Sequence, residues 1–232
     1  MLLLTGNIAA AEENNPLTSV YNPDFPPPLI AEHEPTGDEY FTDAVFVGDS
    51  MMEYVELLGE IPTANYVWKV GMSPTSLGYK MFRVRGQEEY LTAYEMIAQY
   101  QPKKIFILLG GNGLDFSVAS IVIENYSQMI DELLAHCPDA MIYAIAPPPG
   151  SAKNMEAYGV SPNRYKDFSL LLQQLAEEKG LYFLDFYSII ADEEGALPPK
   201  YDCGDGYHLS TLAYQKLIDL VRRHTVPYPE TK

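Results

Sequence analysis

Ala44-Val-Phe-Val-Gly-Asp-Ser50 decides how this chain folds. Four apolar residues with no polar alternation read as a strand covered on both faces, because a half-solvated strand would alternate. Gly48 closes the run, and Met51 to Leu58 continues with helical character. A strand that passes through Gly-Asp-Ser into a helix is the first half of a β-α-β unit.

The same pattern recurs along the chain. Tyr66–Val70 is a second apolar run closed by glycine, and Lys104–Leu109 a third that ends at Gly110-Gly111. Ala140–Ala146 is a fourth, stopped by three prolines, and Leu181–Asp185 a fifth that follows the helix-stopping Gly180. Helical periods fill the gaps at Gln87–Tyr100, Val118–His136, Asn163–Lys179 and Thr211–His224, the last with Ser210 as its expected N-cap. Strands alternating with helices at this spacing predict a mostly parallel, five-stranded sheet with right-handed crossovers, an α/β fold in three α/β/α layers. In such sheets ligands bind beyond the carboxyl ends of the strands.

Composition bounds the rest. The chain has 232 residues, 47% hydrophobic and 20% charged, enough for one large domain with a real core. Thirty-two acidic against 15 basic residues give a net charge of −17, which repels nucleic acid and anionic membrane surfaces. No run reaches the roughly 20 apolar residues that span a bilayer, so no integral membrane segment is expected. Residues 1–38, rich in proline and acidic residues with Pro26-Pro27-Pro28 at their centre, read as an extended arm. Its opening, residues 1–11, has the apolar start and small-residue end of a signal peptide and points to an extracytoplasmic protein. Residues 39–227 form the expected catalytic domain, and 228–232 a tail. Cys137 and Cys203 belong to no metal or redox spacing and read as isolated thiols that serve packing.

Four groups that could carry chemistry fall where the fold puts a site. Ser50, at a strand-to-helix turn, holds its hydroxyl clear of the sheet, and its own N–H lies at a helix start, where it can donate to a developing oxyanion. His208 can take the hydroxyl proton, and Asp205, three residues earlier, can orient the imidazole. Asn112, after the third strand, offers a side-chain amide donor, and Gly71, after the second, a backbone N–H. The other histidines compete poorly. His33 lies in the arm, while His136 and His224 end helices, where a cation is favoured.

In order and strand context these residues resemble the SGNH (GDSL-type) hydrolase superfamily, a flavodoxin-like fold, from about Phe41 to His224. The matching blocks are Val45-Phe-Val-Gly-Asp-Ser50, Gly71, Leu108-Leu-Gly-Gly-Asn112 and Asp205-Gly-Tyr-His-Leu-Ser210, with Ala146-Pro-Pro-Pro149 at the exit of strand four. The resemblance implies Ser50 as nucleophile, His208 as base and Asp205 as its orienting carboxylate. It implies an oxyanion hole from the N–H groups of Ser50 and Gly71 and the side chain of Asn112. It implies no metal or organic cofactor. Two positions depart from the family pattern: Gly113 stands where an aspartate is common, with Asp115 two residues on, and Met51 replaces the usual Leu or Ile.

The expected activity is hydrolysis of carboxylic esters through an acyl-enzyme, with an acylated carbohydrate as substrate. The same residues would serve an O-acyltransferase, and a catalytically silent glycan- or protein-binding member of the fold is a further alternative. A flavodoxin-like module whose Gly-Asp-Ser turn holds a phosphate ranks lowest, because the chain lacks a Walker-type lysine or a GxGxxG fingerprint. The segments Met72–Gly86 and Pro147–Pro162 are expected to overhang the site. Eighteen tyrosines and Trp68 raise the prospect of sugar stacking, although most of those rings suit core packing.

Overall fold

The computed structural model describes residues 29–83 and 88–228. Five strands, β1 (Ala44–Gly48), β2 (Asn65–Trp68), β5 (Lys104–Leu108), β6 (Met141–Ile145) and β7 (Tyr182–Leu184), form one parallel sheet in the order β2-β1-β5-β6-β7. A separate antiparallel hairpin pairs β3 (Met81–Arg83) with β4 (Tyr90–Thr92). The expected three-layer α/β/α architecture with a five-stranded parallel sheet is the one observed.

Alternate residues of each strand supply two cores, as a pleated strand requires. Val45, Val47, Ile105, Ile107, Ile142 and Ala144 pack under α2 (Ala93–Gln99), α4 (Ala119–His136) and α6 (Asn163–Lys179). Phe46, Phe106, Leu108, Tyr143 and Ile145 face α1 (Ser50–Leu58), α7 (Phe186–Ile190) and α8 (Thr211–Arg223). On this second face one ring from every strand lies in register: Tyr66, Phe46, Phe106, Tyr143 and Tyr182. Successive centroids are 5.5, 4.6, 4.3 and 5.1 Å apart, all stacked. At the opposite end of β5 from the site, buried Lys104 is paired with Asp43, and its ammonium lies 4.4 Å from the Tyr40 ring centre.

Several expectations need correction. The helix read from Gln87 starts only at Ala93, because Thr92 and Glu95 form a reciprocal capping box there and residues 90–92 pair in the hairpin. The second strand ends at Trp68, where the chain turns out of the sheet. Ser210 occupies the N-cap of α8, yet its hydroxyl donates to the Lys200 carbonyl instead of capping. The 147–162 segment carries a helix, α5 (Ala152–Tyr158), and two short helices, α3 (Gly111–Leu114) and α7, were not anticipated. Trp68 packs against the second core and donates to Glu56, and it does not line the cleft that holds Ser50. Cys203 is exposed and Cys137 buried, both free, so only the latter serves packing.

Within the arm, residues 29–38 run along the end of α8. His33 and Thr36 donate backbone N–H groups to the carbonyls of Arg223 and Arg222, and the His33 ring accepts from the Thr225 N–H. His136 and His224 each donate a ring N–H to the carbonyl four residues back, as expected of helix-ending histidines. The signal-like residues 1–11, the triple proline and residues 229–232 of the tail lie outside the described residues. No helix among the described residues is long and apolar enough to cross a membrane.

The stacked rings predict where the fold is least tolerant. Phe106→Ala, which empties the centre of the stack, should lower unfolding free energy by about 3–5 kcal/mol. Phe106→Leu should lose distinctly less. Urea denaturation of both variants checks the difference.

Candidate active site

Gly48 makes the strand-to-helix turn possible. A Cβ at this position would lie 2.5 Å from the Cβ of Met52 and 3.1 Å from the Leu108 carbonyl. With only hydrogen there, α1 can start directly beyond β1 and leave Ser50 at its first position. As the first residue of the helix, Ser50 has an N–H with no intrahelical acceptor.

The final loop brings His208 to this hydroxyl. Ser50 Oγ lies 3.0 Å from His208 Nε2, and His208 Nδ1 lies 2.6 Å from Asp205 Oδ2. The other carboxylate oxygen, Oδ1, accepts the backbone N–H groups of Tyr207 and His208 at 2.9 and 2.8 Å. Asp205 is partly desolvated, which pushes its pKa up. The His208 ring, these two N–H donors and the imidazole charge outweigh that and hold it well below the usual carboxylate range. Asp205 therefore stays ionised and fixes the imidazole with Nε2 toward Ser50.

Gly71 sits at φ +69° in a turn closed by the Met72 N–H and the Lys69 carbonyl. Gln101 is the one non-glycine with positive φ among the described residues, so Val70 has negative φ and the turn is type II. Asn112, in α3 just past β5, comes to the same place. Its Nδ2 donates to Asp49 Oδ2 at 2.7 Å and to the Met72 carbonyl at 3.1 Å. All five residues singled out in the sequence, Ser50, Gly71, Asn112, Asp205 and His208, thus converge on the carboxyl edge of the sheet. Ser50, Gly71, Asn112 and His208 line one cleft of about 380 Å³.

The cleft also contains groups that sequence reasoning missed. Val70, Phe116 and Tyr158 form its rim, with Phe116 88% exposed, and Met51 and Tyr207 add further apolar wall. Tyr158 and Tyr207 lie 6.2 Å apart, ring centre to ring centre. Asp115 contributes a carboxylate whose Oδ1 accepts the Tyr165 hydroxyl; desolvation pushes its pKa up. Among the described residues no lysine or arginine lines the cleft. Of the two segments expected to overhang it, 147–162 supplies Tyr158. Pro74, Thr75 and Gly78 of the other line a separate polar groove with α2 and α4.

Asp49, immediately before the serine, is the unforeseen charged group. It is 6% exposed, accepts the Met51 N–H on Oδ1 and Asn112 on Oδ2, and among the described residues has no cationic partner at hydrogen-bond distance. Desolvation pushes its pKa up to about 6, against the opposing pull of the Met51 N–H and His208. The sign for stability follows. The folded state holds this proton more tightly than the unfolded chain, so the ionised carboxylate weakens the fold above pH 6, and the penalty fades as pH falls toward 4. Asp49→Asn should therefore melt higher at pH 7.5, by about 2–4 °C per kcal/mol regained. That gain should shrink as pH falls through 6 and vanish only below the ordinary carboxylate value of about 3.9, which calorimetry across the range checks.

Comparison with known proteins shows the family and the fold. Residues 41–216 match the model of the GDSL-like Lipase/Acylhydrolase family. No curated protein matches the chain. Among solved structures, a GDSL-like lipase from Bacteroides thetaiotaomicron superposes with TM-score 0.62 at 15% identity, covering 79% of this chain and 87% of its own. A lipase/acylhydrolase from Enterococcus faecalis gives 0.54 at 16% identity, with coverage of 78% and 93%. A catalytic mutant of an acetylxylan esterase from Geobacillus stearothermophilus gives 0.53 at 17% identity, with 78% and 92%. These identities speak to the fold alone, whereas the family model spans most of the chain. The chain belongs to the GDSL-like lipase/acylhydrolase family and is an ester hydrolase.

Proposed function

We propose that this protein is a serine esterase that works through an acyl-enzyme and removes small acyl groups from a neutral, carbohydrate-like alcohol. The observation that carries the chemistry is the continuous chain from Asp205 through His208 to Ser50, at 2.6 and 3.0 Å. Ser50 Oγ attacks the ester carbonyl as His208 Nε2 takes its proton, and the imidazolium that forms is stabilised by ionised Asp205. The N–H groups of Ser50 and Gly71 and the Asn112 amide receive the negative charge of the tetrahedral oxygen. His208 returns the proton to the leaving alcohol. Water, deprotonated by the same imidazole, then releases the acid and regenerates Ser50. The His208 side chain is 45% exposed, which gives that water direct access.

The substrate reading rests on the cleft. Exposed Phe116 and Tyr158, with Tyr207 behind, offer flat apolar faces of the kind on which a sugar ring stacks. Asp115 adds an acceptor for a hydroxyl. Asp49, with no lysine or arginine at hydrogen-bond distance among the described residues, disfavours an anionic alcohol, as does the net charge of −17.

Hydrolysis of p-nitrophenyl acetate tests the chemistry. Ser50→Ala and His208→Ala should abolish it, and Asn112→Ala should lower kcat by about 10²–10³. Equal rates in wild type and both triad variants, with no fluorophosphonate labelling of Ser50, would point to a binding protein instead. For the substrate, an acetylated neutral sugar should be turned over at least tenfold better in kcat/KM than its phosphorylated counterpart. Phe116→Ala should narrow that gap by raising KM for the neutral ester.

A further inference from the structure

The basic residues of this acidic chain are unevenly placed. From Ile61 to Arg83 there are three, Lys69, Lys80 and Arg83, and no aspartate or glutamate, while the remaining basic residues share the rest of the chain with all 32 acidic ones. The fold gathers these three on the β3–β4 hairpin and the turn that leads to it. We propose that the solvent face of this hairpin is a docking surface for a strand of carboxylated polysaccharide, held beside the cleft while a neutral, ester-bearing unit of the same strand enters it. The inference rests on the carbohydrate-ester reading above.

Register builds the face. Met81 pairs with Thr92, Phe82 with Leu91 and Arg83 with Tyr90, so successive pairs point to opposite sides of the hairpin. Phe82 packs on the first core, which leaves Met81, Arg83 and Tyr90 on the outer side, all three exposed. Arg83 and Tyr90 are thus direct cross-strand neighbours. The guanidinium can take a carboxylate through two N–H groups, beside a ring that offers a sugar its apolar face. Tyr79, 65% exposed, and Lys80 lead directly into β3.

Lys69 joins this face to the cleft. Its Nζ donates to the Met81 carbonyl at 2.8 Å and lies 5.5 Å from the centre of the Phe82 ring, and the next two residues, Val70 and Gly71, line the cleft. Lys69 and Lys80 form no ion pair among the described residues, so their charge is open to a ligand. Of the carboxylates nearby, Glu95 is spent on the N–H and hydroxyl of Thr92. Glu88 and Glu89 stand beyond the Arg83–Tyr90 pair, away from the cleft, and mark the outer limit of the strip.

Charge and shape decide the occupant. A planar anionic membrane would also face the acidic remainder of the molecule, and repulsion reaches across about 10 Å at 0.1 M salt. A single polymer strand can lie on the hairpin alone. Nucleic acid carries a phosphate on every unit, and the cleft has no cation to receive one. A polysaccharide with carboxylates on some units can set a charged unit against Lys80 and Arg83 and a neutral one between Phe116 and Tyr158.

Calorimetric titration with polygalacturonate, which carries no ester, tests the surface. We expect it to bind at least tenfold more tightly than a neutral glucan and to weaken as salt is raised. Lys80→Glu combined with Arg83→Glu should lower its affinity at least tenfold. Tyr90→Ala, which leaves every charge in place, should lower it at least threefold. Lys166→Glu combined with Lys216→Glu makes the same change in net charge on α6 and α8 and should lower it less than twofold. Thermal melting verifies the fold of each variant. No binding of the polymer, an equal loss in the α6 and α8 pair, or undiminished binding in Tyr90→Ala would overturn the docking surface. Tighter binding to phosphatidylserine vesicles or to oligothymidylate than to the polymer would overturn it as well. None of these outcomes touches the esterase chemistry, because the polymer has no acyl group. Failure of that chemistry would show instead as absent fluorophosphonate labelling of Ser50 with polymer binding intact.

Discussion

The stack of five rings across the sheet is the constraint on which the rest of this molecule depends. Tyr66, Phe46, Phe106, Tyr143 and Tyr182 can lie ring on ring only if all five strands keep one register. A slip of one residue in any strand would turn its ring to the other face and break both cores together. Register in turn fixes the carboxyl edge. Ser50 is four residues beyond Phe46, Gly71 five beyond Tyr66, and Asn112 six beyond Phe106, so the stack sets the level at which all three emerge. The catalytic geometry is thus inherited from packing on a face of the sheet that never meets substrate.

This dependence explains which parts of the structure could be read from the sequence. Strands buried on both faces appear as uninterrupted apolar runs, and Ala44–Gly48 and Lys104–Leu108 were visible for that reason. Each of the three site residues on strand exits follows such a run within a few positions, and Asp205 and His208 sit together before a recognisable helix. The hairpin left no comparable trace. Its strands have three residues each, too few for a period, and the second merges with the helical pattern that follows Thr92. The aromatic rim was hidden for a different reason: Phe116 and Tyr158 are single exposed side chains on irregular turns, and only the fold brings them to one mouth. Tyrosine abundance points toward stacking without telling which rings are free, and Tyr66, Tyr143 and Tyr182 of the ring stack all serve the second core.

The two buried charges show how differently the fold treats structure and site. Lys104 is neutralised by Asp43 and covered by the Tyr40 ring, the arrangement expected where a charge must only be tolerated. Among the described residues Asp49 has no such counter-ion at hydrogen-bond distance, so burial outweighs the pull of the Met51 N–H and His208 and its pKa rises to about 6. A group held this way weakens the fold at neutral pH. Buried charges of this kind concentrate at functional sites, where the environment is arranged for chemistry rather than for stability.

Asn112 is where these threads meet. Its amide joins Asp49 at the exit of β1, Met72 beyond the exit of β2, and its own position beyond β5, so one side chain ties three strand ends together. A hole built from separate loops would need each donor to be held independently. Here the sheet holds two of the three attachment points, and only the turn at Gly71 can yield without disturbing a strand. The two hydrogens of one nitrogen, on Asp49 and on the Met72 carbonyl, thus hold the Asn112 amide against the ends of two strands and beside Ser50.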